Sequence, residues 1–213
     1  EKIFPKVHPE GYKFLIISSI ITLILLLISG FFGIIFIFIT IWVYYFFRDP
    51  ERVIIDDENY LVSPADGRIS SINDVNGPIE LGLDNEKFTR VSIFMNVFDC
   101  HVNRSPVKGE IKEIFYKPGK FLNASLDKAS EQNERNYFKI KDTKSNENII
   151  IVQIAGLIAR RIVTQVEKNQ KISQGERVGM IRFGSRVDIY FSKRKTLVKV
   201  GQNVIAGESL IAS

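Results

Sequence analysis

Cysteine and histidine are scarce in this chain of 213 residues. Cys100 is the single cysteine, so no disulfide can form within the chain, and a reducing compartment is expected. His8 and His101 are the two histidines, the side chains whose ordinary pKa lies nearest neutrality. Chemistry that moves a proton in both directions at neutral pH is therefore restricted to few positions.

Long runs of like charge are also missing. Lysine and arginine number 29 and aspartate and glutamate 24, which gives a net charge of +5. The basic residues are dispersed along the chain. This distribution disfavours nucleic acid as a partner, whereas a mildly basic protein suits an anionic membrane surface or a phosphate-bearing substrate.

One segment, residues 14–47, has no charged residue and is dense in Ile, Leu and Phe. It is too long for one untilted membrane helix of about 20 residues and short for two complete ones. Gly30 and Gly33, near its middle, would allow a tight turn between helices. Basic residues flank both ends: Lys2, Lys6, Lys13, Arg48 and Arg52. We therefore predict a membrane anchor at residues 1–48, a helical hairpin in the cell membrane with both ends on the cytoplasmic side.

The remainder, residues 49–213, has the pattern of a mostly antiparallel β domain. Short runs of Val, Ile, Phe and Tyr alternate with Gly, Pro, Asn and Asp at spacings of roughly ten residues. Asn123 is a candidate cap for one short helix at residues 127–132. The runs predict strands at residues 68–72, 90–95, 107–116, 136–141, 149–154, 161–166, 178–183 and 187–191.

A weak internal repeat relates residues 172–179 to residues 200–210, each with apolar positions around spaced glycines. This spacing suits a barrel-sandwich hybrid, the fold of biotinyl and lipoyl carriers, and equally suits ordinary β turns. A carrier would need a modifiable lysine at a hairpin tip, typically between methionines. Neither Gly179-Met180 nor Ile205-Ala206 supplies one, so a membrane-anchored binding module is the weaker alternative.

Three polar positions stand out in the β region. Gly184-Ser185 lies between two predicted strands, where a turn or bulge is expected, and a strained backbone there would let the serine hydroxyl attack the preceding carbonyl. His101 is the candidate base, and Asp66 is a candidate carboxylate to orient it. Each also has an ordinary structural interpretation: a Gly-Ser turn, a hydrogen-bonded core histidine and a Pro-Ala-Asp-Gly turn.

Taken together, five motifs occur in order behind the apolar segment. In order, spacing and content they resemble the phosphatidylserine decarboxylases, specifically their short branch, from about residue 45 to residue 213. The motifs are Ser-Pro-Ala-Asp-Gly at 63–67, Asp-Cys-His-Val-Asn-Arg at 99–104, Lys-Pro-Gly-Lys-Phe at 117–121, Asn-Glu-Arg at 133–135 and Phe-Gly-Ser at 183–185.

The resemblance implies a proenzyme that makes its own pyruvoyl cofactor. Ser185 would attack the Gly184 carbonyl, and the resulting ester would eliminate, which cuts the chain into a β chain (1–184) and an α chain (185–213) and turns Ser185 into the pyruvoyl group. His101, oriented by Asp66, would be the base. The pyruvoyl ketone would then form a Schiff base with the serine headgroup and draw electrons as carbon dioxide leaves, giving phosphatidylethanolamine. No metal is expected.

The resemblance leaves some assignments open. In the longer branch of the family, the corresponding segment looks like Asp-x-His-x-x-His, whereas Arg104 stands at the second histidine position here. Either His101 would then serve in both chain cutting and turnover, or an unidentified group would serve in one of these steps. Arg104 is a candidate phosphate ligand, or a strand-end arginine that pairs with a carboxylate. Phe121 and Leu122 are candidates for an apolar lip that meets the lipid chains. The substrate could also be another serine phospholipid, such as archaetidylserine, and a homo-oligomer is left open.

Overall fold

The computed structural model describes residues 4–122, 132–156, 161–182 and 185–213. The chain divides into two compact units, Glu1–Glu51 and Arg52–Ser213, which are described separately below. The short helix predicted at residues 127–132 lies outside the described residues, apart from Gln132.

The first unit contains two antiparallel helices, α1 (Tyr12–Ile28) and α2 (Gly30–Phe46). Ser29, in an extended conformation, is the single residue between them, so the turn comes before the predicted glycines. Thr22 on α1 joins the helices through hydrogen bonds of 2.9 Å to Thr40 Oγ1 and 3.2 Å to the Phe36 carbonyl. Most other side chains of both helices are apolar and exposed. Among the described residues, one helical stretch, Pro9–Ile28, is long and apolar enough to cross a membrane.

Gly33 has a packing role in this hairpin rather than a role in the turn. A Cβ atom at this position would lie 2.8 Å from the Cα of Leu26 on the facing helix, whereas one at Gly30 would meet nothing within 4 Å. The missing side chain therefore lets the two helices approach closely. Two short strands, β1 (Lys6–Val7) and β2 (Arg48–Asp49), pair with each other in the same unit.

The second unit is built from strands. They are β3 (Leu61–Val62), β4 (Gly67–Asn76), β5 (Lys87–Met95), β6 (Val102–Arg104), β7 (Gly109–Lys117), β8 (Arg135–Asp142), β9 (Asn148–Ala155), β10 (Arg161–Thr164), β11 (Lys171–Ile172), β12 (Arg177–Arg182), β13 (Ser185–Phe191), β14 (Asn203–Val204) and β15 (Leu210–Ala212).

Eight of these strands form one curled antiparallel sheet in the order β11-β7-β8-β9-β13-β5-β4-β14. A three-stranded sheet, β10-β12-β6, and a pair, β15-β3, accompany it. On β13, Val187, Ile189 and Phe191 point into the main apolar core, as the period of two residues along a strand requires. The predicted mostly antiparallel β domain is therefore confirmed, as is an apolar helix before it.

Gly184, where a turn or bulge is expected, lies outside the described residues, whereas the strands on either side of it are described. Strands β12 and β13 do not pair with each other: β12 pairs with β10 and β6, and β13 pairs with β9 and β5. The chain therefore passes from one sheet to another between Arg182 and Ser185. Strand β13 begins at Ser185 itself, two residues earlier than predicted, because polar Ser185 and Arg186 continue its ladder.

Two basic residues are buried by specific partners. Arg194 lies between exposed Lys193 and Lys195, but its own side chain is only 7% exposed. Arg194 binds the carboxylates of Asp142 and Glu147, which explains its burial. His8 is buried, and its Nδ1 accepts a hydrogen bond from the Glu10 amide at 3.2 Å.

Candidate active site

Ser185 opens β13, a central strand of the eight-stranded sheet. It lies opposite Met95 on β5 and Ala155 on β9. Its side chain is 0% exposed, and its Oγ has no hydrogen-bond partner among the residues that the structure describes. A buried hydroxyl without a partner costs free energy, so its retention indicates a chemical role. Gly184, the predicted partner in cutting, lies outside the described residues.

His101 is also fully buried and directly precedes β6. Its Nδ1 lies 3.0 Å from the backbone carbonyl oxygen of Asp99. Its own carbonyl accepts a hydrogen bond of 3.4 Å from the Ile181 amide, because β6 pairs with β12. Ser185 lies four positions after Ile181 along the chain, a path of at most about 14 Å.

Asp66 is buried just before β4 and has two partners from distant parts of the sequence. Its Oδ2 accepts a hydrogen bond of 2.6 Å from Nη2 of Arg52, and its Oδ1 accepts one of 2.8 Å from the amide of Ala206. Burial lowers the pKa of Arg52, but the charge of Asp66, with smaller effects of Cys100 and Glu208, raises it above the ordinary value overall. Sequence reasoning missed Arg52, which it had counted only as a basic flank of the anchor.

Strand pairing brings the segments that carry these residues to one end of β5. The Arg104 amide donates to the Pro64 carbonyl, which joins the Asp66 turn to the strand after His101. Gly67, next to Asp66, has a φ of +143° and leaves no room for a Cβ beside the carbonyl of Phe94. Phe94 precedes Met95, the strand partner of Ser185. The three segments therefore meet although about 120 residues separate the outer two.

A chain of buried amide side chains lies behind Ser185, and sequence reasoning did not find it. Asn103 Nδ2 lies 3.7 Å from Sδ of Met95, and its Oδ1 accepts a hydrogen bond of 2.8 Å from Gln153. Gln153 in turn accepts one of 3.3 Å from Asn136, which also donates to Thr164 at 3.0 Å. This network links β6, β9, β8 and β10 and so holds the strand after His101 against the sheet of Ser185. Asn103 lies in the motif at residues 99–104. Gln153 and Asn136 lie in predicted strands, and nothing in the sequence indicates that their side chains form this network.

Asn133 fixes the segment that contains Phe121 and Leu122. Its Oδ1 accepts from the Leu122 amide at 2.8 Å, and its Nδ2 donates to the Leu122 carbonyl at 2.8 Å and to the Ala155 carbonyl at 2.7 Å. Ala155 is the strand neighbour of Ser185. The predicted lip is thus tied, through one buried amide, to the strand end beside the serine.

Arg104 is buried away from solvent. Its Nη1 donates a hydrogen bond of 2.9 Å to the Gly175 carbonyl, and its backbone amide bonds Pro64. These contacts give Arg104 a structural partner near the Asp66 turn. Its candidate role as a phosphate ligand remains a prediction.

Among the described residues, neither a metal site nor the cavity beside Gly109 involves the predicted site residues. Within the described ranges, no group of three or more His, Cys, Asp and Glu side chains is placed to hold a metal ion. A cavity of about 610 Å³ lies at the opposite end of β7 and β8, beside Gly109 and Asp142, and none of the predicted site residues lines it.

Comparison with known proteins defines the class. The family model described as phosphatidylserine decarboxylase matches residues 39–212. The phosphatidylserine decarboxylase proenzyme of Pelagibacter ubique (strain HTCC1062) is 66% identical over 212 residues, which is 100% of this chain and 98% of the relative. The proenzyme of Ruegeria pomeroyi (strain ATCC 700808 / DSM 15171 / DSS-3) is 52% identical over 96% of this chain and 94% of its own length. That of Cereibacter sphaeroides (strain ATCC 17025 / ATH 2.4.3) is 50% identical over 96% of this chain and 88% of its own length.

The antiparallel domain, the buried serine and the full-length similarity place the chain among the carboxy-lyases. It belongs to the phosphatidylserine decarboxylase family.

Proposed function

We propose that this chain is a self-processing proenzyme that converts phosphatidylserine to phosphatidylethanolamine and carbon dioxide, with a pyruvoyl group derived from Ser185. One observation carries the proposal: the Ser185 hydroxyl, in a chain of this family, is fully buried and has no hydrogen-bond partner among the described residues. The names of the relatives favour phosphatidylserine over archaetidylserine as the substrate.

The first role of Ser185 is to cut its own chain. Its Oγ attacks the Gly184 carbonyl carbon, the peptide C–N bond breaks, and an ester replaces the amide. A base then removes the Cα proton of residue 185, and the Cβ–O bond breaks, which leaves a carboxylate on Gly184 and a dehydroalanine at residue 185. Water releases ammonia from the dehydroalanine and leaves a pyruvoyl group.

His101 is the proposed base for these proton transfers. A serine hydroxyl is a poor nucleophile until a base takes its proton, and His101 is the single histidine of the second unit. Its segment lies beside β12, the strand that leads to Ser185. We assign Asp66, held by Arg52 and the Ala206 amide, to stabilise the charged form of the imidazole.

The site fits the group that processing would create. The buried position at the start of β13 shields residue 185 from bulk solvent, and the strand pairing to β5 and β9 holds it in place after cutting. When present, the pyruvoyl carbonyl supplies the electron sink that decarboxylation requires. His101 then holds the proton that the substrate carbon must receive after carbon dioxide leaves.

The proposed location is the cell membrane, with the second unit on the cytoplasmic side. The apolar helix Pro9–Ile28 supports membrane association. Lys2, Lys6, Lys13 and Arg48 support the orientation because basic flanks favour the cytoplasmic side. Arg52 adds nothing to this argument, since it is engaged by Asp66.

The test is a decarboxylation assay with purified full-length protein in mixed micelles. We expect carbon dioxide release from phosphatidylserine, and none from the Ser185→Ala variant. An enzyme that releases carbon dioxide from archaetidylserine but not from phosphatidylserine would overturn the substrate assignment. Equal activity in wild type and Ser185→Ala would overturn the assignment of Ser185.

A further inference from the structure

We propose that the second unit docks directly on an anionic bilayer through a rim at the Ser185 end of its sheet, a contact separate from that of the N-terminal helices. This docking rim consists of Phe98, Lys120, Phe121, Leu122 and Arg161. The proposal rests on the proposed function only in that its lipid substrate gives this end of the sheet a reason to meet a bilayer.

The apolar members of the docking rim lie on two sides of Ser185. Phe98 follows Met95, the β5 partner of Ser185, by three residues. Phe121 follows Lys117, which pairs with Arg135 at the start of β8, beside the ends of β9 and β13. Four strand spacings of about 4.8 Å separate β7 from β5 along the sheet, about 19 Å in all, and β13, which begins at Ser185, lies between these two strands.

Both aromatic rings are held toward solvent. Phe98 is 60% exposed and Phe121 is 38% exposed. The backbone beneath Phe121 is rigid because Asn133 binds both backbone groups of Leu122, and Lys120 exchanges hydrogen bonds with Gln132 and Glu134. A large apolar side chain that is fixed in an exposed position beside a reaction centre indicates an apolar partner.

The charges of the docking rim indicate that this partner is an anionic lipid surface. Lys120 and Arg161 are exposed, and neither forms an ion pair with an acidic side chain in the part of the chain that the structure describes. Arg161 pairs with Arg182 at the end of β12, three residues before Ser185. The nearby carboxylate of Asp99 already accepts the Asn96 amide at 2.8 Å, and Glu80 is paired with Lys117 and Arg135. Basic residues at a bilayer surface are attracted by the negative headgroups of anionic lipids.

The experiment uses tryptophan as a depth probe in the full chain. The single native tryptophan is first removed as Trp42→Phe. Phe98→Trp, Phe121→Trp and Lys193→Trp are then made separately in that background. Lys193 is the matched far-end position because it is exposed and lies two residues after the end of β13, which is about 20 Å from Ser185 along the strand. Each protein is reconstituted into vesicles of phosphatidylcholine and phosphatidylglycerol with brominated acyl chains, which quench tryptophan at the membrane.

We expect strong quenching and a blue-shifted emission for the probes at 98 and 121, and neither change for the probe at 193. Quenching of one rim probe alone, of neither, or of all three equally would overturn the proposal. The double variant Lys120→Glu/Arg161→Glu should lower the quenching at position 121, whereas the control Lys195→Glu should not. If Lys120→Glu/Arg161→Glu and Lys195→Glu change the quenching at position 121 equally, Lys120 and Arg161 do not attract the rim to anionic lipid.

Tryptophan quenching requires neither chain cutting nor turnover, so the docking rim and the proposed function are tested separately. A chain that decarboxylates phosphatidylserine without rim quenching would refute the docking rim alone. A chain that shows rim quenching without decarboxylation would refute the proposed function and support the rim.

Discussion

The guanidinium of Arg52 donates a hydrogen bond of 2.6 Å to the carboxylate of Asp66, and the two side chains are only 6% and 12% exposed. The pair lies within the second unit, next to the turn that leads into β4. Removing one partner of a buried pair is costly because the other charge is left without compensation.

We therefore expect Arg52→Ala to slow chain cutting and to lower the free energy of unfolding by about 3 kcal/mol. Arg52→Lys should restore part of the cutting rate and part of the free energy of unfolding, since it keeps the positive charge. A time course of cutting by gel electrophoresis, together with thermal unfolding of the same samples, measures the two effects. Arg68→Ala is the control, because Arg68 is exposed and donates a hydrogen bond to the Gly201 carbonyl. Cutting at the wild-type rate in Arg52→Ala would remove the pair from the mechanism.

His101→Ala tests the proposed base. General acid–base catalysis typically contributes about 100- to 10,000-fold, so cutting should slow by at least two orders of magnitude. The small fraction that is cut after long incubation should also turn over phosphatidylserine at least about 100-fold more slowly per cut chain, if His101 serves in both steps. His8→Ala, in the separate first unit, is the control and should cut normally.

Two results would contradict this account of His101. Normal cutting in His101→Ala would show that another group activates Ser185. Slow cutting with near-normal turnover per cut chain would show that a different group donates the proton to the product. Arg104 is a poor candidate for that donor, because guanidinium scarcely gives up its proton near neutrality.

Arg194 connects what would become the two chains of the processed enzyme. It lies in the segment 185–213, and its partners Asp142 and Glu147 lie before the cutting site. Arg194→Ala should lower the free energy of unfolding by about 3–5 kcal/mol. Thermal unfolding measures this effect, and Lys193→Ala, an exposed neighbour, should change it little. Equal melting temperatures for the two variants would show that the buried ion pairs contribute nothing net.

Gly33 tests the close approach of the two N-terminal helices. Gly33→Val should separate them, because even a Cβ would lie 2.8 Å from the Leu26 backbone. Gly30→Ala is the matched control, since a Cβ there meets nothing within 4 Å. Amide hydrogen exchange in lipid nanodiscs should show faster exchange of α1 and α2 in Gly33→Val only. Unchanged protection in that variant would argue against close packing of the hairpin.

Much of the second unit was predictable because its longer strands carry regular apolar patterns. Residues 149–154 are almost all Ile and Val, and residues 90–95 carry Val91 and Ile93 at alternate positions; both segments lie within strands of the large sheet. Strand β6 was missed because Asn103 and Arg104 are polar, although both are buried and satisfied by partners far along the chain. Local patterns report the period of an element but not its distant partners.

The candidate site was also only partly predictable from the sequence. Ser185, His101 and Asp66 were predicted from the motifs, since each residue type suits its chemistry. The residues that contact them could not be predicted from the motifs. Arg52 and Ala206 reach Asp66 from opposite ends of the second unit, and nothing in the sequence around Arg194, which lies between two lysines, indicates its buried ion pairs. Long-range pairing of charges depends on the fold, so no local pattern predicts it.

The intact mass of the purified protein tests the central claim most directly. We predict two chains, residues 1–184 and residues 185–213, with a pyruvoyl group at the new N-terminus. Their summed mass should equal the precursor mass plus one water minus one ammonia, and Ser185→Ala should remain one uncut chain. A single intact wild-type chain, a break at another position, or a sum that equals the precursor plus one water would contradict the account, since plain hydrolysis leaves Ser185 as a serine.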